Sequence, residues 1–388
     1  MRRRDFLLGS AAGVSGLCAS ARAGEALGAP ASARGRREGR AAYGARAYSQ
    51  TIVIDAQAVI PDPDPNVVLE SAPSQRLLSD LQASGLTAVS MTLNVGSTGD
   101  RMVKAIRKIA TFDEKVAAAP ERLARIRTGA DLRNAKGSGR LGLIYNLQDS
   151  SLLENDLTRV NLLQQLGVRI MQLTYNTRNQ IGDGCLEQDN SGLSNLGHQL
   201  VAEMARVRML MDLSHSGQRT IAEAIAEAKA PPIISHSGCR SLIDRPRNVF
   251  DAELRALADK GGVVGIYFMP FLSSSGPPSR DDLIRHLEHA VNVCGEDHVG
   301  LGTDGQISAV QVDEAYREEH RKDYESRVAQ GLAAPGEGPD VLQFVPQYNA
   351  PERFLLLAQD LAARGWTASR IEKLLGLNFA RVFSEVWG

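Results

Sequence analysis

The chain has 388 residues, of which 43% are hydrophobic and 23% charged, the composition of an ordinary globular protein. Its formal net charge of −1 gives no general attraction to nucleic acid or to a membrane surface, and no internal apolar run is long enough to span a bilayer. The length fits one large domain, such as a barrel, or two smaller domains.

The first 23 residues are predicted to be a signal peptide. Arginines at positions 2–4 precede an apolar, Gly- and Ala-rich stretch, and Ala21-Arg22-Ala23 has the form of a cleavage site. The start resembles the twin-arginine export signal of bacteria, so we expect that export machinery as a partner and a periplasmic or secreted location. Residues 24–49 are rich in Ala, Gly and Arg and are predicted to be a disordered linker, which leaves a folded domain at 50–388.

Short apolar runs bounded by turn-forming residues predict eight β-strands. They are Thr51–Asp55, Thr87–Leu93, Leu141–Leu147, Val168–Tyr175, a run ending at His215, a run ending at His236, Val263–Met269 and His298–Asp304. Helical patterns lie between most of them, at Gln75–Ser84, Asp100–Ala119, Leu157–Leu166, Leu196–Val207, Gln218–Ala230, Asp251–Lys260 and Asp281–Cys294. This alternation predicts an α/β fold, a (β/α)8 TIM barrel. A doubly wound open sheet is the alternative, but no Gly-x-Gly-x-x-Gly or Walker loop supports nucleotide binding.

Three segments lie outside this alternation. Asn176–Ser194 is a Gly- and Asn-rich loop, long enough to be functional. After the eighth strand, a charged helical insertion is predicted near Val312–Gln330, and a closing pair of helices is predicted at Pro351–Trp387.

The carboxyl ends of barrel strands form the active-site face, so residues at those ends are candidates for chemistry. His215 and His236 each follow a serine at the end of a strand, and Asp304 follows Gly-Leu-Gly-Thr after the last strand. Two imidazoles and a carboxylate are a recurring zinc set that leaves a position open for water. The alternative is that the two histidines merely cap loops and that Asp304 is an ordinary turn aspartate without a role in chemistry. The remaining strand ends carry Gln57, Asn94, Gln148, Tyr175 and Met269.

From about residue 51 onward the chain resembles the membrane dipeptidase (renal dipeptidase) family, zinc peptidases on a (β/α)8 barrel. The resemblance is carried by Leu213-Ser214-His215, Ser235-His236-Ser237, Arg247-Asn248 with Asp251 after it, and Gly300-Leu301-Gly302-Thr303-Asp304. Gln172–Asn176 and Gly182–Cys185 resemble the bacterial branch in particular.

The resemblance implies a role for each matched residue. His215 and His236 would bind the second zinc, and Asp304 would bind the first zinc and assist proton transfer. Arg247 would hold the substrate carboxylate. Asn248 and Tyr175 would also lie at the substrate.

Three ligands that the family usually supplies to the first zinc are replaced in this chain. Gln57 and Val59 stand where a His-x-Asp pair is usual, and Gln148 stands where a glutamate usually bridges both metals. A neutral amide is a poor bridging ligand and valine cannot ligate at all. We therefore expect one zinc or none per chain, held by His215 and His236 with Asp304.

Two functions remain open from the sequence. The first is an exported metallohydrolase that cleaves dipeptides or similar small amides with at most one metal. The second is a non-hydrolytic descendant of the family, a small-molecule binding protein or a catalyst of another reaction without metal. Metal content after purification separates the two. No nucleic-acid partner and no stable membrane span are expected, and a homodimer is left open.

Overall fold

The computed structural model of the protein describes residues 43–64, 67, 72–93, 95–96 and 99–388. The predicted signal peptide, the predicted linker up to residue 42, and Asn94 lie outside these residues. Within the described part of the chain, no helix is both long enough and apolar enough to cross a membrane.

Parallel strands form a single closed sheet. The strands are β1 (Ile54–Val59), β2 (Ala88–Thr92), β3 (Leu123–Arg125), β4 (Leu141–Leu147), β5 (Val168–Gln172), β6 (Leu210–Asp212), β7 (Ile233–Ser237), β8 (Val263–Ile266), β9 (Val299–Leu301) and β10 (Gly305–Gln306). Their order is β10, β1, β2, β4, β5, β6, β7, β8, β9, with β3 beside β4. The chain runs from β9 directly into β10, and β10 pairs with β1 through Ala58–Gly305. β9 and β10 together are the eighth strand, so the predicted (β/α)8 barrel is confirmed.

Helices separate the strands and cover the barrel. They are α1 (Ala45–Gln50), α2 (Gln75–Ser84), α3 (Arg101–Ala118), α4 (Gly129–Ser138), α5 (Thr158–Gln165), α6 (Asn195–Arg206), α7 (Gln218–Glu227), α8 (Asp251–Asp259), α9 (Arg280–Cys294), α10 (Glu314–Ala329), α11 (Arg353–Ala363), α12 (Ala368–Glu372) and α13 (Asn378–Trp387), with a π-helical turn at Lys373–Leu377. Each predicted helix is present within a few residues of its predicted ends. The short pair β3 and α4 was not predicted.

The folded part begins earlier than the predicted boundary at residue 50. Tyr43 and Tyr48 are each only 4% exposed, and the Tyr48 hydroxyl donates to the Ser84 carbonyl at 2.6 Å. Helix α1 is therefore packed against the end of α2, and the prediction of a disordered linker was wrong for residues 43–49. The two tyrosines supply the apolar area that the surrounding Ala- and Arg-rich sequence lacks.

The first strand lies three residues later than predicted. The amide of Thr51 still donates to the Ala47 carbonyl at 3.2 Å, so residue 51 belongs to the end of α1. As a result, Gln57 and Val59 lie within β1 rather than after it.

Apolar side chains fill the barrel interior at the amino ends of its strands. Seven strands contribute side chains that are at most 1% exposed: Ile54, Ala88, Ile144, Ile170, Leu210, Ile233 and Val263. Phe379, Phe383 and Trp387 of α13 belong to the same cluster. Burying one such large side chain stabilises the fold by roughly 1.5–3 kcal/mol. Because α13 closes this end, the polar residues collect at the carboxyl ends of the strands.

Candidate metal and active site

His215, His236 and Asp304 come together at the carboxyl ends of β6, β7 and β9. One ligand atom from each side chain lies within 4.8 Å of the other two. The Nε2 atoms of the two histidines are 2.8 Å apart, and Asp304 Oδ2 is 3.9 Å from His236 Nε2. Both imidazoles are buried and the carboxylate is partly exposed. The structure thus gathers the three residues that the sequence singled out as metal ligands.

The backbone is strained at two of these three residues. His215 has a φ of 63° and Asp304 a φ of 56°. Both lie in the left-handed region, which residues other than glycine rarely adopt. Next to Asp304 the strands approach so closely that a Cβ on Gly302 would lie 2.0 Å from the Ser235 carbonyl oxygen. Left-handed residues that the surroundings hold in place are typical of functional sites.

One hydrogen bond fixes the tautomer of His215. Its Nδ1 lies 2.6 Å from Asn176 Oδ1. The Asn176 amide nitrogen donates to the Leu332 carbonyl at 2.7 Å, so the amide oxygen faces the imidazole. Nδ1 therefore carries the proton of the neutral ring, and Nε2 is left with a lone pair.

A longer chain of hydrogen bonds fixes His236. Its Nδ1 lies 2.7 Å from the Ser235 hydroxyl, which donates its own proton to Asp212 at 2.6 Å. The buried Asp212 also accepts from the amide and the hydroxyl of Ser214, at 3.0 and 2.9 Å. Because the Ser235 proton points to the carboxylate, its oxygen accepts from His236 Nδ1–H. The Nε2 atom of His236 therefore also presents a lone pair.

Burial keeps both imidazoles neutral. Loss of solvent holds the pKa of His215 and that of His236 well below the ordinary value of 6.5, and the nearby Arg247 guanidinium lowers them further. Two lone pairs that face each other at 2.8 Å repel unless a cation lies between them. Imidazole nitrogen and carboxylate oxygen are ligands that zinc prefers, so His215, His236 and Asp304 would hold it. The donor set fits a metal.

The buried aspartate Asp55 positions Asp304. Asp55 of β1 accepts from the amide of Thr303 at 2.8 Å and from its hydroxyl at 2.6 Å, and the Asp304 amide donates to the Gln57 carbonyl at 2.8 Å. Burial raises the pKa of Asp304 to about 6, against the opposing effect of Arg247. The Asp304 carboxylate is therefore ionised at neutral pH, with a pKa suited to moving a proton.

Arg247 lies against His215, one of the candidate metal ligands. Its Nη2 donates to His215 Nε2 at 3.0 Å, and its guanidinium is 5.8 Å from the ring centroids of both Tyr267 and Phe271. The neighbouring Asn248 donates to the Ile243 and Phe271 carbonyls, at 2.8 and 2.9 Å. Its side chain orders the loop that carries Arg247, and a direct contact of Asn248 with substrate stays a prediction.

Comparison with known proteins now assigns the chain to a family. The family model of the membrane dipeptidases, peptidase family M19, matches residues 67–315. The chain belongs to this family. The predicted family is therefore confirmed.

Individual relatives agree with the assignment. The dipeptidase verJ of Clonostachys rogersoniana is 29% identical over 268 residues, which cover 69% of this chain and 61% of that relative's length. The solved structure of an amidohydrolase from Pseudomonas aeruginosa is 30% identical to this chain, with a TM-score of 0.75. The match covers 89% of this chain and 99% of the other. A metallopeptidase from Rhodobacter sphaeroides, solved with a phosphinate mimic of L-Ala-D-Ala, shares the fold with a TM-score of 0.69 at 19% identity, over 87% of this chain and 100% of that one.

No ionisable side chain stands at the three positions where the sequence predicts replaced ligands of a first metal, Gln57, Val59 and Gln148. The Oε1 atom of Gln57 accepts from Asn146 at 3.1 Å, and its buried Nε2 has no hydrogen-bond partner among the described residues. Val59 is 39% exposed, and Gln148 lines a cavity. Among the described residues, His215, His236 and Asp304 are the only group of His, Cys, Asp or Glu side chains placed to hold a metal.

A cavity of about 710 Å³ lies next to Tyr175, the neighbour of His215. Tyr175 lines it and stacks on the His215 imidazole, with ring centroids 4.1 Å apart and an interplanar angle of 22°. Arg327 at the end of α10 also lines the cavity, and its Nη1 is 3.4 Å from the Tyr175 hydroxyl. The predicted charged insertion thus delivers a side chain to the site.

Several residues that position the site were not predicted to act there. Asp212, Asn176 and Ser235 hold the imidazoles, and Arg327 comes from the insertion. Two signals pointed to them: Asp212 lies three residues before His215, and Asn176 follows Tyr175 directly. Nothing in the local sequence distinguishes Arg327 from the other charges of α10.

Proposed function

We propose that this protein is an exported hydrolase that cleaves the amide bond of dipeptides or similar small amides, with at most one zinc ion held by His215, His236 and Asp304. The observation that supports it best is the pair of unprotonated Nε2 atoms at 2.8 Å, beside a carboxylate whose pKa is raised to about 6. When bound there, zinc would supply Lewis acidity to the scissile carbonyl.

The side chains would divide the work between binding and proton transfer. Arg247 would donate to the substrate carboxylate as a planar fork, because its guanidinium is buried and already directed at the metal ligands. Asp304 would take a proton from the attacking water and return it to the leaving amine. Tyr175, which stacks on His215, would contact the acyl part of the substrate, on the far side of the scissile bond from the carboxylate.

The test combines metal analysis with a substrate panel. The mature chain, purified from zinc-supplemented medium, should hold close to one zinc and hydrolyse members of a dipeptide and acyl-amino-acid panel. Arg247→Lys should raise the KM for a carboxylate substrate, while Arg245→Lys in the same loop should not. Absence of both metal and turnover would favour the metal-free binding protein. An unaltered KM would remove Arg247 from the site.

Export is proposed from the sequence alone. Arg3 and Arg4 and the Ala21-Arg22-Ala23 site support it. Changing both arginines to lysine should retain an unprocessed precursor in the cytoplasm, detected by cell fractionation and immunoblotting. Processing at an unchanged rate would exclude the twin-arginine route.

A further inference from the structure

Three arginines line the cavity beside Tyr175, and Asp149 is the only carboxylate among the described residues that line it. Each guanidinium is paired with a carboxylate: Arg101 with Asp149, Arg178 with Asp183 and Arg327 with Glu337. The Asp149 carboxylate is already occupied. Its Oδ1 accepts from Asn179 at 2.9 Å, and its Oδ2 accepts from Arg101 at 3.2 Å and from the Ser151 hydroxyl.

Arg327 is held so that one end of its guanidinium faces this cavity. Its Nε and Nη2 donate to Glu337 at 2.8 and 2.9 Å, and the Glu337 side chain is only 2% exposed. The remaining Nη1 lies 3.4 Å from the Tyr175 hydroxyl, which is too long for a strong hydrogen bond. The Nη1 amino group is therefore a fixed donor, available to an oxygen in the cavity.

This lining discriminates between two kinds of substrate end. The free amino terminus of a dipeptide is a cation at neutral pH. In this cavity it would meet no carboxylate free to pair with it, because each one is already bound to a guanidinium. An ammonium moved out of water without a partner loses its solvation, which is costly. An uncharged acyl chain has no such cost, and any oxygen on it could accept from Arg327.

We propose that the cavity binds an acyl chain rather than an amino terminus, so that the substrates are N-acyl amino acids. The amino acid carboxylate would lie on Arg247, the scissile amide at His215, His236 and Asp304, and the acyl chain against Tyr175 and Arg327. Water adds to the acyl carbon, the C–N bond breaks, and the products are a carboxylic acid and a free amino acid. This inference rests on the proposed function and narrows its substrate class.

A pair of isosteric ligands tests the inference by binding alone. Propionyl-alanine and glycyl-alanine have the same number of heavy atoms and differ by a methyl group in place of the ammonium. Titration calorimetry of the zinc-loaded mature protein at pH 7, with the L and D forms of each, should give about tenfold or tighter binding of propionyl-alanine. Equal affinity, tighter binding of glycyl-alanine, or binding of neither overturns the inference.

Variants assign the preference to the Arg327 charge. Arg327→Met leaves Glu337 buried without its partner, so the double change Arg327→Met with Glu337→Gln is measured beside it. Both should lose most of the preference, and Arg327→Lys should keep it. Lys322→Met removes a charge from the exposed side of the same helix and should change nothing. If Lys322→Met shifts the preference as much as Arg327→Met, the Arg327 assignment is wrong.

Turnover separates this inference from the proposed function. Tighter binding of propionyl-alanine without hydrolysis of either ligand would keep the acyl site and refute the hydrolase. Hydrolysis of glycyl-alanine with the higher kcat/KM, together with its tighter binding, would keep the hydrolase and refute the acyl site.

Discussion

The imidazoles of His215 and His236 present unprotonated Nε2 atoms to each other at 2.8 Å. Each ring has its single proton on Nδ1, where Asn176 and the Ser235 hydroxyl accept it. Within the described part of the chain, Arg247 is the only side chain that donates to either Nε2 atom, and it donates to His215. Because burial also opposes protonation of either ring, a cation ligated by both Nε2 atoms is the species that best relieves their repulsion.

The first prediction concerns metal stoichiometry. The protein purified from zinc-supplemented medium should hold one zinc or less per chain by mass spectrometry, and His215→Ala should abolish binding because two donors are too few. His198→Ala is the matched control, since His198 pairs with Glu227 on the surface, away from the site. Two tightly bound ions in the unchanged protein would contradict the count, and would mean that Gln57 or Gln148 contributes a ligand.

The barrel and its three candidate ligands could be predicted because their signals are local. Apolar runs and helical patterns mark the strands and helices, and the strand ends place His215, His236 and Asp304 on one face. Gly302, just before Asp304, lets its strand approach β7 closely, whereas Gly300 makes room for the Phe379 side chain.

The supporting contacts could not be predicted because they join distant parts of the chain. Asp55 binds Thr303 across 248 positions, and Asn176 binds Leu332 across 156. Nor does composition reveal that Tyr48 reaches the Ser84 carbonyl, which is why α1 was assigned to a disordered linker. Such pairings depend on barrel closure, and local propensity contains no information about closure.

The second prediction tests whether Ser235 positions His236. Ser235→Ala removes the acceptor for His236 Nδ1–H and one donor to Asp212. Zinc affinity measured by competition with a chelator should fall about 10–100-fold, and the free energy of unfolding should fall by about 1–3 kcal/mol. Ser216→Ala is the control, because that buried hydroxyl contacts Thr174 and neither imidazole. A loss of stability with unchanged zinc affinity would show that Ser235 is merely structural.

The third prediction restores the usual dipeptidase ligands. Gln57→His, Val59→Asp and Gln148→Glu together should raise the zinc stoichiometry towards two, because they return an imidazole and two carboxylates to the side of the site near Asp304. Dipeptide hydrolysis should rise with it. In a His215→Ala background the same triple change should give at most one zinc. A stoichiometry that stays at one would mean that the barrel mouth has also lost the shape of the first-metal site.

The last prediction uses a buried carboxylate that supports the loop behind Arg247. Glu253 is only 4% exposed, accepts from the Phe250 amide at 2.6 Å, and has its pKa raised to about 7 by burial. In the unfolded chain it ionises near 4.5. Between these two values the folded state binds more protons than the unfolded state, so the contribution of Glu253 to stability falls as the pH rises through that window.

Glu253→Gln keeps an acceptor for the Phe250 amide and removes the ionisation. At pH 8 the variant should be more stable than the parent by up to about 3 kcal/mol, and at pH 4.5 the difference should vanish. Melting temperatures of the metal-free variant and parent at the two pH values measure this difference in stability. Glu385→Gln on the exposed side of α13 should be neutral at both. A Glu253→Gln effect that is equal at pH 4.5 and pH 8 would mean that the carboxylate is ionised in the fold throughout, and that Arg240 compensates its burial more strongly than the desolvation argument allows.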